Sequence, residues 1–287
     1  MKITLLARAY LKDRGHSLTN GTRDNINYAA QSVLDVTGKK FLTKELAADV
    51  INTWQRNGMA ASTISSKIKL LSGMSEWGIS EGYMSENPWR RLNIIVPRRE
   101  PTRFSVDEYQ RILAAARQVD LSFKDWPLFI VLAWNTGMRI SDILTLKWKE
   151  VDWANERIRK VAHKTRKKGR LVDVPLLPEA YKALENHFAG ALHEYVFPDA
   201  AVERSFDGGH RIFCEQFRKI LSKAGVVGKT FHTFRHTFIS RCIEGGVSAE
   251  LVSSITGQSI VTIMETYAAP SISSKREAMM AAFEKVI

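Results

Sequence analysis

Cysteine is scarce in this chain of 287 residues, and the few that occur do not form a metal site. The two cysteines, Cys214 and Cys242, are not spaced as zinc ligands are. His210 lies four residues before Cys214 on a predicted helix, but no second pair of ligands follows. We therefore expect two reduced thiols in or near the core and no metal.

Long apolar runs are also absent. No stretch approaches the roughly 20 apolar residues that a helix needs to cross a bilayer, and the amino terminus lacks the basic and then apolar order of a signal peptide. Apolar residues nevertheless make up 45% of the chain, with a mean hydropathy of −0.19. This content suffices for a core in one large or two modest domains. We expect a cytoplasmic protein with no membrane partner.

Acidic side chains are fewer than basic ones. The chain has 30 aspartates and glutamates against 42 lysines and arginines, which gives a formal net charge of +12. Both parts of the chain share the excess. Residues 1–100 hold 15 basic and 9 acidic side chains, giving +6, and the remainder holds 27 and 21, also giving +6. This excess favours a polyanionic partner, although charge alone leaves a generically soluble basic protein open.

Residues 1–91 have the pattern of a small helical domain. Apolar residues recur at helical spacing in four segments, namely 3–11, 23–36, one that opens at Thr43 and one that runs to Trp77. Ser62 is the predicted N-cap of the fourth helix. Pro88 then stops the helical pattern, because proline lacks an N–H donor and restricts the residue before it.

Residues 92–104 combine two prolines with charged residues, a composition that predicts a linker. A second domain, 105–287, opens with Ser105 and Glu108 at the spacing of a capping box. Alternating apolar and polar residues around a basic turn predict a β-hairpin within 157–175. Helical spacing predicts 105–118, 126–135, 140–146, 178–190, 212–224, 233–245, 249–255, 260–267 and a tail helix in 273–287. The predicted fold class is mainly α with a small antiparallel β-sheet.

Six positions in the last part of the chain have the chemistry of one phosphoryl-transfer site. They are Arg139, Lys164, His232, Arg235, Gln258 and Tyr267. Two arginines can hold a tetrahedral phosphate by bidentate hydrogen bonds. A histidine and a lysine can transfer protons, and a tyrosine can attack phosphorus and form an ester. Taken singly, each residue also has a commoner explanation, such as a surface ion pair or a tyrosine packed at a helix end.

The stretches around these positions resemble the tyrosine recombinases of the phage integrase family. The matching blocks are Asn135–Leu146, Lys164–Thr165, Phe231–Phe238, Thr256–Ser259 and Glu265–Ala268. They follow the family's order over roughly residues 100–270. The resemblance implies a helical core-binding domain at the amino terminus, followed by an α+β catalytic domain of the tyrosine-recombinase type.

The resemblance also implies a role for each residue. Tyr267 would be the nucleophile, and Arg139 and Arg235 would hold the scissile phosphate. His232 would accept the tyrosine proton or bond a phosphate oxygen. Asp142 would support the site from behind Arg139.

Basic residues crowd the predicted hairpin, where eight of them and no acid lie from Arg157 to Arg170. Lys164 matches the mobile lysine that the resembled enzymes use as general acid toward the leaving 5′ oxygen. Lys167 or Lys168 would take that role if the turn is shifted. Four hairpin residues are candidate contacts to DNA phosphates without sequence readout, namely Arg166, Lys167, Lys168 and Arg170.

Gln258 departs from the family pattern, which has histidine or tryptophan at this point. A glutamine can donate an N–H to a phosphate oxygen, but it cannot carry a charge or transfer a proton. We therefore expect retained but slower activity, and we expect Gln258→His to be tolerated. His236 is predicted to face inward as a supporting residue.

The resemblance implies a site-specific DNA recombinase that forms a 3′-phosphotyrosyl intermediate without ATP, metal or another cofactor, in a bacterial or phage-infected host cell. Its partner would be double-stranded DNA. The assembly would be a homotetramer on two DNA sites, with a monomer as the state in the absence of DNA, and accessory DNA-bending proteins would be further partners. Lys67 and Lys69 are candidates for DNA contact in the first domain, and the tail helix would dock on its own or a neighbouring protomer.

Two other functions stay open at this point. A type IB topoisomerase-like enzyme would use the same chemistry to relax DNA as a monomer. A non-catalytic DNA-binding regulator is the alternative from another class, since 249–255, the turn at Gly257 and 260–267 resemble a helix-turn-helix. A function as a regulator would not explain why the phosphoryl-transfer residues Arg139, Lys164, His232 and Arg235 are present.

Overall fold

The computed structural model of the protein describes residues 2–38, 43–97, 100–161, 169, 171–189, 193–199 and 209–267, together with Arg276 and Met280. Within these residues the fold is mainly helical with a three-stranded antiparallel sheet, so the predicted fold class is confirmed. The chain divides into two compact units, Met1–Arg99 and Glu100–Ile287. No helix in the described part of the chain is long and apolar enough to cross a membrane.

The first unit is helical and has a core of its own. Its helices are α1 (Ile3–Arg14), α2 (Asn20–Thr37), α3 (Lys44–Arg56) and α4 (Ala61–Ser80). Thr19 and Thr43 cap α2 and α3, because each side-chain oxygen accepts a backbone N–H of the first turn. The apolar faces of the helices meet around fully buried side chains such as Ile64, Leu71 and Met74.

The start of α4 differs from the sequence prediction. The helix begins at Ala61 with Ala60 as its N-cap, so the prediction of Ser62 as N-cap is wrong. The carbonyl of Ala60 already accepts the N–H groups of Thr63 and Ile64. Alanine is the residue type most favourable to helix, so Ala61 forms part of the helix ahead of the serine.

The second unit combines helices with the sheet. Its elements are α5 (Val106–Gln118), α6 (Trp126–Thr136), α7 (Ile140–Leu144), β1 (Val151–Asp152), β2 (Arg157–Val161), β3 (Leu171–Pro175), α8 (Pro178–Phe188), α9 (Gly209–Lys223), α10 (Phe231–Glu244), α11 (Ala249–Thr256) and α12 (Ile260–Tyr267). The predicted capping box is confirmed. The Ser105 hydroxyl accepts the Glu108 N–H at 3.1 Å, and the Glu108 carboxylate accepts the Ser105 N–H at 2.8 Å.

The sheet has the order β1-β2-β3 with antiparallel neighbours. Ile158 lies opposite Val174, and both side chains are fully buried. The predicted hairpin is therefore confirmed over its described strands. Its tip, with the predicted general acid Lys164 and the candidate DNA contacts Arg166, Lys167, Lys168 and Arg170, lies outside the described residues. Most of the predicted tail helix also lies outside them.

Helix α6 forms the centre of the second core. Every residue from Leu128 to Thr136 is buried, and the helix packs against α5, α8 and α10. A helix that is apolar on all sides is stable only when other elements surround it. Gly137 ends α6 in the left-handed conformation, with φ of 58°. This turn leads directly to Arg139, and it therefore places the first residue of the predicted site.

Candidate active site

The turn Thr256–Gln258, between α11 and α12, organises the site. Gly257 ends α11 with φ of 65°, a left-handed conformation that favours glycine. The carbonyl of Thr256 accepts a hydrogen bond from Arg235, and the carbonyl of Gly257 accepts one from Arg139. Two guanidinium groups that are distant in the sequence therefore meet on consecutive peptide groups of one turn.

Arg139 is the N-cap of α7 and is partly exposed. Its Nη2 donates to the carbonyl oxygen of Gly257 at 3.1 Å, and its Nη1 lies 3.9 Å from Oδ2 of the buried Asp142. The Asp142 backbone N–H donates to the Arg139 carbonyl at 2.8 Å. The carboxylate thus balances charge on the inner side of the guanidinium.

Arg235 projects from α10 and is only 6% exposed. It donates to the carbonyls of Gly137 and Thr256, each at 2.9 Å, and its Nε and Nη2 both donate to Oε1 of Gln258, at 3.2 and 3.1 Å. Burial and the nearby charge of Arg139 lower the pKa of Arg235 to about 10. The side chain therefore stays a cation at neutral pH, held rigidly beside a second cation, as an anion site requires.

Gln258 connects this cation to the predicted nucleophile. Because an arginine has only donors, the contact fixes the amide with Oε1 toward Arg235. The Nε2 donors then point away from the guanidinium, and a hydrogen bond between the Gln258 and Tyr267 side chains is among the causes that lower the tyrosine pKa. The described structure therefore gives Gln258 a bridging position.

Tyr267 is the last residue of α12 and is about half-buried. Burial raises the pKa of its hydroxyl, while the charge of Arg235, the hydrogen bond of Gln258 and the charge of Arg103 lower it, and burial prevails. The hydroxyl is therefore protonated at neutral pH and needs a proton acceptor before it can attack. Its oxygen is hydrogen-bonded to Nδ1 of His236.

The contact with His236 is one that sequence analysis did not predict, since it expected this side chain to face inward as a supporting residue. Positions 232, 235 and 236 share one face of α10, because residues three and four apart on a helix are neighbours. His232 is exposed, and its ring centroid lies 6.2 Å from that of His236. His236 is half-buried against Tyr267, with 5.8 Å between the ring centroids. The position of α12 places Tyr267 over His236, which lies four residues after His232.

Arg103 is a residue that sequence analysis missed. It lies within the stretch 92–104, where the composition predicts a linker, and no motif marks it. Its guanidinium is paired with the Glu244 carboxylate at the end of α10, and its charge lowers the pKa of Tyr267. The next residue, Phe104, is buried, and its N–H donates to the Thr237 hydroxyl at 2.9 Å.

The candidate DNA contacts of the first unit are placed differently. Lys67 Nζ donates to the Ser32 hydroxyl at 2.9 Å and lies 5.5 Å from the centre of the Trp54 ring. Burial lowers the pKa of Lys67. Lys69 is exposed. In the described part of the chain, no group of three or more His, Cys, Asp or Glu side chains could hold a metal ion.

Comparison with known proteins gives consistent results. The model of the phage integrase family matches residues 102–273. The tyrosine recombinase XerC-like protein of Caldanaerobacter subterraneus subsp. tengcongensis is 26% identical over 254 residues, which cover 74% of this chain and 63% of that protein. Tyrosine recombinase XerC of Chlamydia caviae is 26% identical over 240 residues, covering 79% and 73%.

Solved structures with the same fold include the Tn1549 transposon integrase in complex with transposon right end DNA. It superposes with a TM-score of 0.79 at 17% sequence identity, over 98% of this chain and 99% of that one. The lambda integrase tetramer bound to a Holliday junction gives a TM-score of 0.70 at 18% identity, over 90% and 78%.

Proposed function

The chain belongs to the phage integrase family, and from this premise we propose that it is a site-specific DNA recombinase that cleaves and rejoins strands through Tyr267. The observation that carries the proposal is the meeting of two guanidinium groups and one tyrosine hydroxyl around a single turn. Arg139 and Arg235 bind its consecutive carbonyls, and Gln258 links Arg235 to Tyr267. This arrangement suits an anionic phosphodiester flanked by a nucleophile.

The reaction follows from these groups. The Tyr267 oxygen attacks phosphorus, the bond to the 5′ oxygen breaks, and a 3′-phosphotyrosyl ester forms. Arg139 and Arg235 stabilise the charge that develops on the non-bridging oxygens. His232, on the exposed side of α10, bonds a phosphate oxygen, and Lys164 gives its proton to the leaving 5′ oxygen. Asp142 supports Arg139 throughout.

Rejoining is the same step in reverse. The 5′ hydroxyl of a partner strand attacks the phosphotyrosyl ester and releases Tyr267. The ester conserves the energy of the broken phosphodiester, so the exchange balances without ATP. The strands leave with exchanged ends.

The proposed partner is duplex DNA, and the proposed assembly is four copies on two sites. The net charge of +12, shared between both parts of the chain, supports a polyanionic partner. Similar folds bind DNA in the Tn1549 complex and form a tetramer on a Holliday junction in lambda integrase. The named relatives are bacterial, which supports action in the cytoplasm. Candidate phosphate contacts are Lys67, Lys69, Arg166, Lys167, Lys168 and Arg170.

A covalent-capture experiment tests the proposal. The probe is a pool of duplexes with randomised positions around a nick, placed so that the short 5′-hydroxyl fragment diffuses away after cleavage. We expect wild type to form adducts that survive denaturation and Tyr267→Phe to form none, because phenylalanine lacks the attacking oxygen. Adducts with Tyr267→Phe would assign another nucleophile. Intact DNA binding without any wild-type adduct would favour a regulator.

A further inference from the structure

The proposed reaction requires a group that takes the proton of Tyr267, and the residue at 258 cannot be that group. A glutamine amide has no basic atom at neutral pH. Its oxygen already accepts two hydrogen bonds from Arg235, so its role is to orient the guanidinium. The proton must therefore go to a neighbouring side chain or to water.

His236 is in direct contact with the hydroxyl in question. Its Nδ1 and the Tyr267 oxygen form a hydrogen bond. The raised pKa of Tyr267 keeps the proton on the phenol at rest. In this contact the phenol is therefore the donor and Nδ1 the acceptor, which requires a neutral imidazole with its own proton on Nε2.

The charges around His236 favour that neutral form. From its own helix, α10, it faces His232 and Arg235. From α12 it faces Tyr267. The charge of Arg103, in the segment before α5, in turn lowers the pKa of the Tyr267 hydroxyl. Burial, then His232, then Arg235 lower the pKa of His236. The imidazole is therefore neutral at neutral pH, and its Nδ1 can accept a proton.

We propose that His236 is the catalytic residue that receives the Tyr267 proton during strand cleavage, a role that rests on the proposed function. The phenolic O–H bond breaks and its proton binds Nδ1, while the tyrosine oxygen bonds to phosphorus and the 5′ oxygen leaves. The imidazolium that results is stabilised by the developing negative charge at phosphorus. In the rejoining step His236 returns the proton to the departing tyrosine oxygen, so its state is restored.

The exposure of His232 favours a different role for this side chain. Its side chain is exposed on the turn of α10 that precedes His236, and it is His236 whose nitrogen contacts the Tyr267 oxygen. His232 therefore remains the candidate for a bond to a phosphate oxygen. The two histidines form a matched pair for an experiment, because they lie one turn apart on one helix face.

The test measures the single-turnover rate of adduct formation against pH, with enzyme in excess over a duplex recovered in the covalent capture. For wild type we expect the rate to fall as pH drops through the lowered pKa of His236, because the imidazolium cannot accept a proton. His236→Asn keeps an acceptor oxygen near the place of Nδ1 but is not basic. We expect it to slow cleavage by about 10²-fold or more and to abolish this acid limb.

His232→Asn is the matched control, and we expect it to slow cleavage while retaining the acid limb. A limb that persists in His236→Asn and disappears in His232→Asn would overturn the proposal. Thermal unfolding and DNA binding of each variant check its folding, and His236→Gln replaces the first variant if that one unfolds. In His236→Ala, added imidazole should restore cleavage at least several-fold, and no restoration would count against proton transfer.

Failure of this inference differs from failure of the proposed function. If wild type forms the Tyr267 adduct and His236→Asn cleaves at a similar rate with the same pH profile, only the role of His236 is wrong. If wild type forms no adduct, the recombinase function itself is wrong.

Discussion

At the scale of single residues, Gln258 shows how one amide can serve two partners. Its oxygen accepts from Nε and Nη2 of Arg235, and its amide lies within reach of the Tyr267 hydroxyl. The side chain therefore couples the orientation of a phosphate-binding cation to that of the nucleophile. Ser253 supports the arrangement, since its hydroxyl donates to the Gln258 carbonyl at 2.6 Å.

Two substitutions at this position should have opposite outcomes. Histidine can accept from Arg235 with one nitrogen and donate with the other, so we expect Gln258→His to retain adduct formation. Gln258→Leu removes the hydrogen bonds to Arg235 and to Tyr267, and it should slow cleavage by about 10²-fold, equivalent to about 2.7 kcal/mol.

Single-turnover adduct formation measures both variants, and thermal unfolding confirms that each is folded. A leucine variant as fast as wild type would show that the bridge has no part in catalysis. A folded histidine variant without cleavage would show that the site requires the amide itself.

At the scale of elements, the turn between α6 and α7 connects the core to the site. Gly137 ends the buried helix in a left-handed conformation, its carbonyl accepts a hydrogen bond from Arg235 at 2.9 Å, and the chain reaches Arg139 two residues later. A Cβ at this glycine would overlap the ring of Phe238 on α10. The close approach of α10 therefore depends on the missing side chain.

Gly137→Ala should destabilise the second unit more than its matched control, Gly228→Ala. Both glycines have positive φ, 58° and 74°, but a Cβ at Gly228 would meet no atom within 4 Å. We expect the control to cost about 1 kcal/mol from backbone strain alone. The steric overlap at Gly137 should add about 1–3 kcal/mol.

Urea denaturation of the two variants gives the difference directly. Equal free energies of unfolding would mean that Phe238 moves aside without cost. In that case the turn would contribute only its backbone conformation to the site.

At the scale of the whole molecule, the chain has two units with separate hydrophobic cores. The core of the first unit is built from α1 to α4 and includes Trp89, whose ring stacks on Trp54 at 6.3 Å. The core of the second unit surrounds α6. The division between the units falls after Arg99, inside the stretch 92–104 where composition predicts a linker.

Limited trypsin digestion tests that predicted linker. Arg98 and Arg99 are adjacent cleavage points for trypsin in the sequence, and packed helices resist proteolysis because cleavage requires local unfolding. We expect the first cut there, with fragments of about 99 and 188 residues.

The double variant Arg98→Gln and Arg99→Gln is the control, and it should delay this cut. First cuts inside α2 or α5, after Arg23, Arg111 or Arg117, would contradict the prediction. Such cuts would mean that a unit opens more readily than the segment between the units.

The sequence by itself determined the elements whose signals are local. The capping box at Ser105, the apolar helix ended by Gly137 and the hairpin strands around Ile158 all rest on residues a few positions apart. Their hydrogen bonds and burial follow from spacing. The motif blocks likewise indicated the family, because order and residue type are properties of the sequence alone.

Only the tertiary structure decided which side chains meet. His236 and Tyr267 are separated by 31 residues, and their contact depends on how α12 packs on α10. Helical spacing places His232 and His236 on the same face, but it cannot tell which of them lies beneath the tyrosine. The roles of the Thr256 and Gly257 carbonyls could not be predicted from the sequence either. Every residue has a carbonyl acceptor, and only packing decides which two accept hydrogen bonds from the arginines.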